Sequence, residues 1–72
     1  MHLFEWIIED AVRIKDTIYY VINEYYVDST NSDKRTLTGL RYAVNINDSS
    51  DYGSLEQNVN GDFYVMKAAT IE

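Results

Sequence analysis

Residues 3–27 read LFEWIIEDAVRIKDTIYYVINEYYV, and the secondary structure taken by this stretch decides the fold. Its apolar residues Ile7, Ala11, Ile14, Ile18, Val21 and Tyr25 follow one another at steps of four, three, four, three and four. That spacing lines six side chains along one stripe of an α-helix. Phe4, Ile8, Ile22 and Tyr26 widen the stripe, while Glu5, Glu9, Arg13, Asp16, Tyr20 and Glu24 form the opposite, polar side. No glycine or proline interrupts the run, and Glu9 precedes Arg13 by four residues, the favourable order for a helical ion pair. The pattern predicts one continuous helix, about 36 Å long at 1.5 Å per residue. Thr17 to Val27 is rich in β-branched residues and tyrosine, which favour strands, so the competing expectation is a helix to Lys15 followed by a strand.

Beyond this stretch, residues 28–33 (DSTNSD) form a polar run suited to a loop. From Thr36 to Ile46 the period changes to two. Leu40, Tyr42, Val44 and Ile46 share one face and Gly39, Arg41, Ala43 and Asn45 the other, the mark of a half-buried strand. Asn47 to Ser54 reads as a turn-rich loop and Leu55 to Asn60 as a weak strand. Asn60-Gly61 reads as a type I′ hairpin turn, and Phe63 to Ile71 as a final strand, apolar on both faces. The expected architecture is α+β, one long N-terminal helix packed on a three-stranded antiparallel β-sheet. Such a sheet is about 20 Å long at ~3.3 Å per residue, so the helix overhangs it. The uncovered seam calls for a partner or for a helix-mediated homodimer.

The 72 residues fit a single small domain, 1–72, with little interior. The absence of cysteine excludes disulfides and thiolate metal sites, so packing or association must supply the stability. Glu5, Glu9 and Asp10 break up the N-terminal apolar residues, which argues against a signal peptide or membrane span and makes the cytoplasm the expected location. The net charge is -6. Between residues 44 and 62 stand Asp48, Asp51, Glu56 and Asp62 with no base at all. Phosphate contacts need Lys and Arg, so this balance disfavours direct nucleic-acid binding.

Catalytic chemistry finds little support. The only histidine is His2, near the start of the chain, and no serine stands in a Gly-x-Ser-x-Gly setting. Asn45, Asn47, Ser49, Asp51, Gly53 and Glu56 fall on ligand positions of an EF-hand-like count. Ser50 occupies the position that requires glycine, so the stretch reads as a solvated loop. No enzyme activity, cofactor or metal is expected. Among the seven tyrosines, Tyr42 and Tyr64 read as core-edge residues. Tyr20, flanked on the polar side by Asp16 and Glu24, reads as a contact residue.

On a helix, Glu5 and Glu9 stand one turn apart, about 6 Å along the axis, close to the separation of phosphates along a nucleic-acid strand. The expected partner-binding set is therefore Glu5, Glu9, Asp16, Tyr20, Glu24, Asp48, Asp51, Tyr52, Glu56 and Asp62, a surface suited to a Lys/Arg-lined channel. In overall character the chain resembles the small acidic inhibitors of host defence carried by phages and mobile elements, of the anti-CRISPR and DNA-mimic types. The resemblance rests on length, acidity, tyrosine content and the lack of cysteine or catalytic motifs. It implies a non-enzymatic inhibitor in the host cytosol that occludes a basic, nucleic-acid-handling surface of a protein complex.

Overall fold

The computed structural model describes residues 3–28, 30–31 and 34–67, and these form one five-stranded antiparallel sheet with no helix among them. The strands are β1 (Leu3–Ile14), β2 (Thr17–Val27), β3 (Arg35–Asn45), β4 (Asp48–Gln57) and β5 (Phe63–Met66). Each pairs with the next in sequence, giving a simple meander. The fold is all-β, which corrects the expected α+β architecture. The helix expected over 3–27 is instead the β1–β2 hairpin, and the helical seam invoked for a homodimer does not exist. The competing expectation fails over β1 as well, and holds only for the strand from Thr17.

The reason lies in residue type. Fifteen of the 25 residues in the stretch are β-branched or aromatic, and such side chains lose rotamer freedom in a helix but pack well on a pleated surface. The helical spacing arises because both faces of the hairpin carry apolar residues. Ile7, Ile14, Val21 and Tyr25 point to one side of the sheet, whereas Ala11 and Ile18 point to the other. Lys15 and Asp16 make the two-residue turn, with Lys15 at φ 57°, so the position where a glycine would announce a hairpin holds a lysine.

Further corrections concern the C-terminal half. Of the loop expected over Asn47 to Ser54, Asn47 lies in the turn before β4 and Asp48 to Ser54 are the first part of β4, so the strand expected over Leu55 to Asn60 begins at Asp48 and ends at Gln57. A hairpin does form around Asn60-Gly61, but through a five-residue connection between β4 and β5. The Asn58 side-chain carbonyl accepts the N–H groups of Asn60 and Asp62, each at 2.9 Å. Asn60 does not take the positive φ that a type I′ turn requires. Of the final strand, Phe63 to Met66 is confirmed, and residues 68–71 lie outside the described part of the chain.

The sheet curls over one face. Tyr19, Val21, Ala43 and Leu55 are the buried apolar residues, with Val12 and Ile14 of β1 and Phe63 and Val65 of β5 packed against them. Strands from opposite edges thus meet on the same small core. Val21, Ala43 and Gly53 stand opposite one another across β2, β3 and β4, so side-chain size falls to nothing at Gly53, where β5 closes in.

Asp51 pins the rim of this face. Lys67 Nζ lies 2.8 Å from its Oδ1, and Tyr19 Oη and Asn45 Nδ2 donate to Oδ2 at 2.8 and 3.1 Å. Lys67 first, then the two neutral donors, lower its pKa from an ordinary 3.8 to about 2. A carboxylate depressed in the folded state stabilises the fold above its unfolded pKa, and that contribution disappears as pH falls from about 3.8 to about 2. Glu9, Asp28 and Asp48 are lowered by hydrogen bonds in the same sense. For Asp48 the donors are the hydroxyl and the N–H of Ser50. In urea titrations at pH 5 and pH 2, the wild type should lose more stability between the two than Asp51→Asn does. Equal losses would show that the Asp51 cluster does not set the acid limit.

Candidate functional site

The face of the sheet turned away from the core is the unusual one. Alternation places Phe4, Trp6 and Ile8 of β1, Ile18, Tyr20, Ile22, Glu24 and Tyr26 of β2, Tyr42 and Val44 of β3, and Tyr52 of β4 on it together. Most of these side chains are large and open to solvent, Trp6 at 59% and Tyr52 at 62% exposure. A soluble monomer rarely leaves so continuous an apolar surface bare, and such surfaces mark interaction sites. Phe4 and Tyr26 stack at the edge with ring centroids 5.0 Å apart.

Two irregularities shape this face. The ladder between β1 and β2 slips between Ile8 and Asp10, so Glu9 is the extra residue and the alternation changes phase there. Between β2 and β3 the register slips again, leaving Thr38, Gly39 and Leu40 of β3 opposite the single residue Glu24. Gly39 takes φ 96° at this bulge, a conformation few other residues tolerate. The bulge brings Thr38 onto Glu24.

Glu24 is 7% exposed and accepts three hydrogen bonds, from Thr38 Oγ1 to Oε1 at 2.8 Å, and from Trp6 Nε1 and Tyr42 Oη to Oε2 at 3.1 and 3.4 Å. All three donors are neutral, and no Lys or Arg among the described residues forms an ion pair with Glu24. Beside it lies a shallow, almost wholly apolar pocket of about 350 Å³, lined by Trp6, Ile22, Tyr42, Val44 and Tyr52. Two of its aromatic walls are therefore the same side chains that hold the Glu24 carboxyl group.

The acids expected to form one row do not share a surface. Glu5 is on the core side and bonds Arg35 at 3.0 Å. Glu9, in the bulge, accepts from Tyr25 and Asn23. Asp16 is in the β1–β2 turn, 3.7 Å from Arg13, and Asp51 is engaged by Lys67. Asp48 opens β4 and caps Ser50, Glu56 accepts from Ser54, and Asp62 lines a cleft with Arg13 and Lys15. The one-turn spacing of Glu5 and Glu9 falls with the helix. Tyr20, Glu24, Tyr52 and Glu56 are the members that the structure places on the aromatic face, with Glu24 buried rather than exposed. Trp6, Ile22, Tyr42 and Val44 complete that site and are absent from the expected set. The period-two pattern sets Tyr42 and Val44 on one face, whereas placing Trp6 requires the bulge at Glu9 to be known.

Among the described residues no group of three His, Cys, Asp or Glu side chains is placed to hold a metal ion, and no helix is long and apolar enough to cross a membrane. Comparisons with protein-family models, curated proteins and solved structures find no match.

Proposed function

We propose that the protein is a non-enzymatic binding module whose aromatic sheet face docks on a basic, nucleic-acid-handling surface of a protein complex, as an inhibitor acting by occlusion in the host cytoplasm. The observation that carries this reading is the exposed face bearing Phe4, Trp6, Tyr20, Tyr26 and Tyr52 on a chain of net charge -6. Tyrosine and tryptophan dominate binding hot spots, and aromatic faces attract the guanidinium and ammonium groups of a basic partner. A row of aromatics on a sheet also resembles a stacking platform for single-stranded nucleic acid. Such platforms run beside a cationic groove, and Arg13 is the basic residue that alternation puts on this face. The charge therefore favours the protein that holds the nucleic acid over the nucleic acid itself.

The test is competition for nucleic acid on a panel of purified RNA-guided effector complexes. Displacement from at least one, weakening with added salt and at least tenfold weaker for Trp6→Ala/Tyr52→Ala, is the expected result. Trp6 also donates to the buried Glu24, so Tyr52→Ala alone, exposed and outside that network, is the control that should weaken displacement in the same sense with an unchanged far-UV circular dichroism. Failure to displace across the panel overturns the reading.

A second reading follows from the small interior. Among the described residues, four buried apolar side chains on one face of a single layer leave the other face open to a second copy. Light scattering separates the two readings. A dimer that tightens with salt supports self-association, and a monomer at micromolar concentration removes it.

A further inference from the structure

We infer that the pocket formed by Trp6, Tyr42 and Tyr52 over Ile22 and Val44 receives a single basic side chain, lysine or arginine, of the docked partner, with Glu24 supplying the opposite charge. This inference rests on the proposed docking face and names the chemistry recognised there. Three features support it. The floor is aliphatic and suits the methylene stem of a long side chain. Three aromatic rings line the walls, and aromatic enclosures of this kind attract organic cations. Finally, Glu24 is buried beside the pocket, hydrogen-bonded to the indole N–H of Trp6 and the hydroxyl of Tyr42, and receives only neutral donors. A buried acidic group without a cation is an unfinished arrangement, because buried charges are ordinarily paired. A cation entering between Trp6 and Tyr42 completes it.

Shape and charge both discriminate. An apolar side chain of equal length would fill the same floor but leave Glu24 as it is. An acidic side chain would be repelled by Glu24 and by the ring faces.

Trp6 is the only tryptophan of the chain, so its emission reports on this pocket alone. The intact protein is titrated with short blocked peptides carrying a central lysine, arginine or norleucine. Saturable change in Trp6 emission with lysine or arginine, at least tenfold weaker with norleucine and diminishing with salt, is expected. Glu24→Gln should weaken the basic peptides at least fivefold and leave norleucine unchanged. Tyr52→Ala, on an exposed side chain outside the Glu24 network, should weaken the basic peptides by a similar factor with an unchanged circular dichroism spectrum. It decides the matter if Glu24→Gln fails to fold. Norleucine binding as well as lysine, or no change in Trp6 emission with any peptide, overturns the inference. Either result leaves the competition on effector complexes to stand or fall independently. Loss of docking there with intact peptide binding would instead retire the inhibitor reading and keep the pocket.

Discussion

Gly53→Val should unfold the protein at room temperature. A Cβ at this position would lie 2.5 Å from the carbonyl oxygen of Met66, 2.9 Å from its carbonyl carbon and 2.9 Å from Val65 Cγ1. Two of these three atoms are backbone, so rotation of a side chain cannot relieve the contact. β5 must lift away, and it is only four residues long, paired to β4 through Ser54 to Gln57. Overpacking usually costs about 1–3 kcal/mol, and a clash with backbone belongs at the upper end. A core this small supplies only about 3–5 kcal/mol in all. Thermal unfolding followed by circular dichroism should show no cooperative transition for Gly53→Val, and a markedly lowered midpoint for Gly53→Ala. A wild-type midpoint in Gly53→Ala would mean that β5 does not close over β4 as described.

Leu55→Ala is expected to be nearly as severe, by the opposite route. Leu55 is 3% exposed and is the one buried aliphatic side chain supplied by β4, in contact with the cluster that Phe63 and Val65 cover. Truncating a buried leucine removes its transfer free energy and leaves a cavity, for a loss of about 3 kcal/mol. With few neighbours available to collapse into the space, the loss approaches the whole stability of the fold. Urea denaturation should show a midpoint near zero denaturant. Substituting Leu37, which is 57% exposed on β3, should move the midpoint little, and the contrast checks that the effect comes from burial rather than from strand propensity.

The two sites differ in how far the sequence foretells them. Leu55 is an apolar residue read as strand, and its strand exists. The close approach of Met66 to Gly53 is invisible in sequence, because it depends on where the end of β5 lies against β4. The same division runs through the fold. The alternation of Leu40, Tyr42 and Val44 makes β3 legible, since that strand carries distinct faces. β1 and β2 mislead because apolar residues occupy both of their faces and the bulge at Glu9 shifts the alternation midway, so a helical period fits better than a period of two. Their turn gives no warning either, with lysine where glycine is usual. At the candidate site, the sequence offers Glu24 and Tyr52 as surface contacts, yet only Tyr52 is exposed and Glu24 is buried. Their relation to Trp6 and Tyr42 is a matter of register, which composition does not encode.

The meander has a consequence for the way the molecule is made. Every hydrogen-bonded ladder joins strands adjacent in sequence, so none must wait for a distant segment, as the pairings of a Greek key must. A growing chain can close the β1–β2 hairpin once Val27 has left the ribosome and add one strand at a time thereafter. The last to arrive is β5, the short strand that seals Leu55, so nascent chains cut before Met66 should carry an open core and be the readiest prey of proteases.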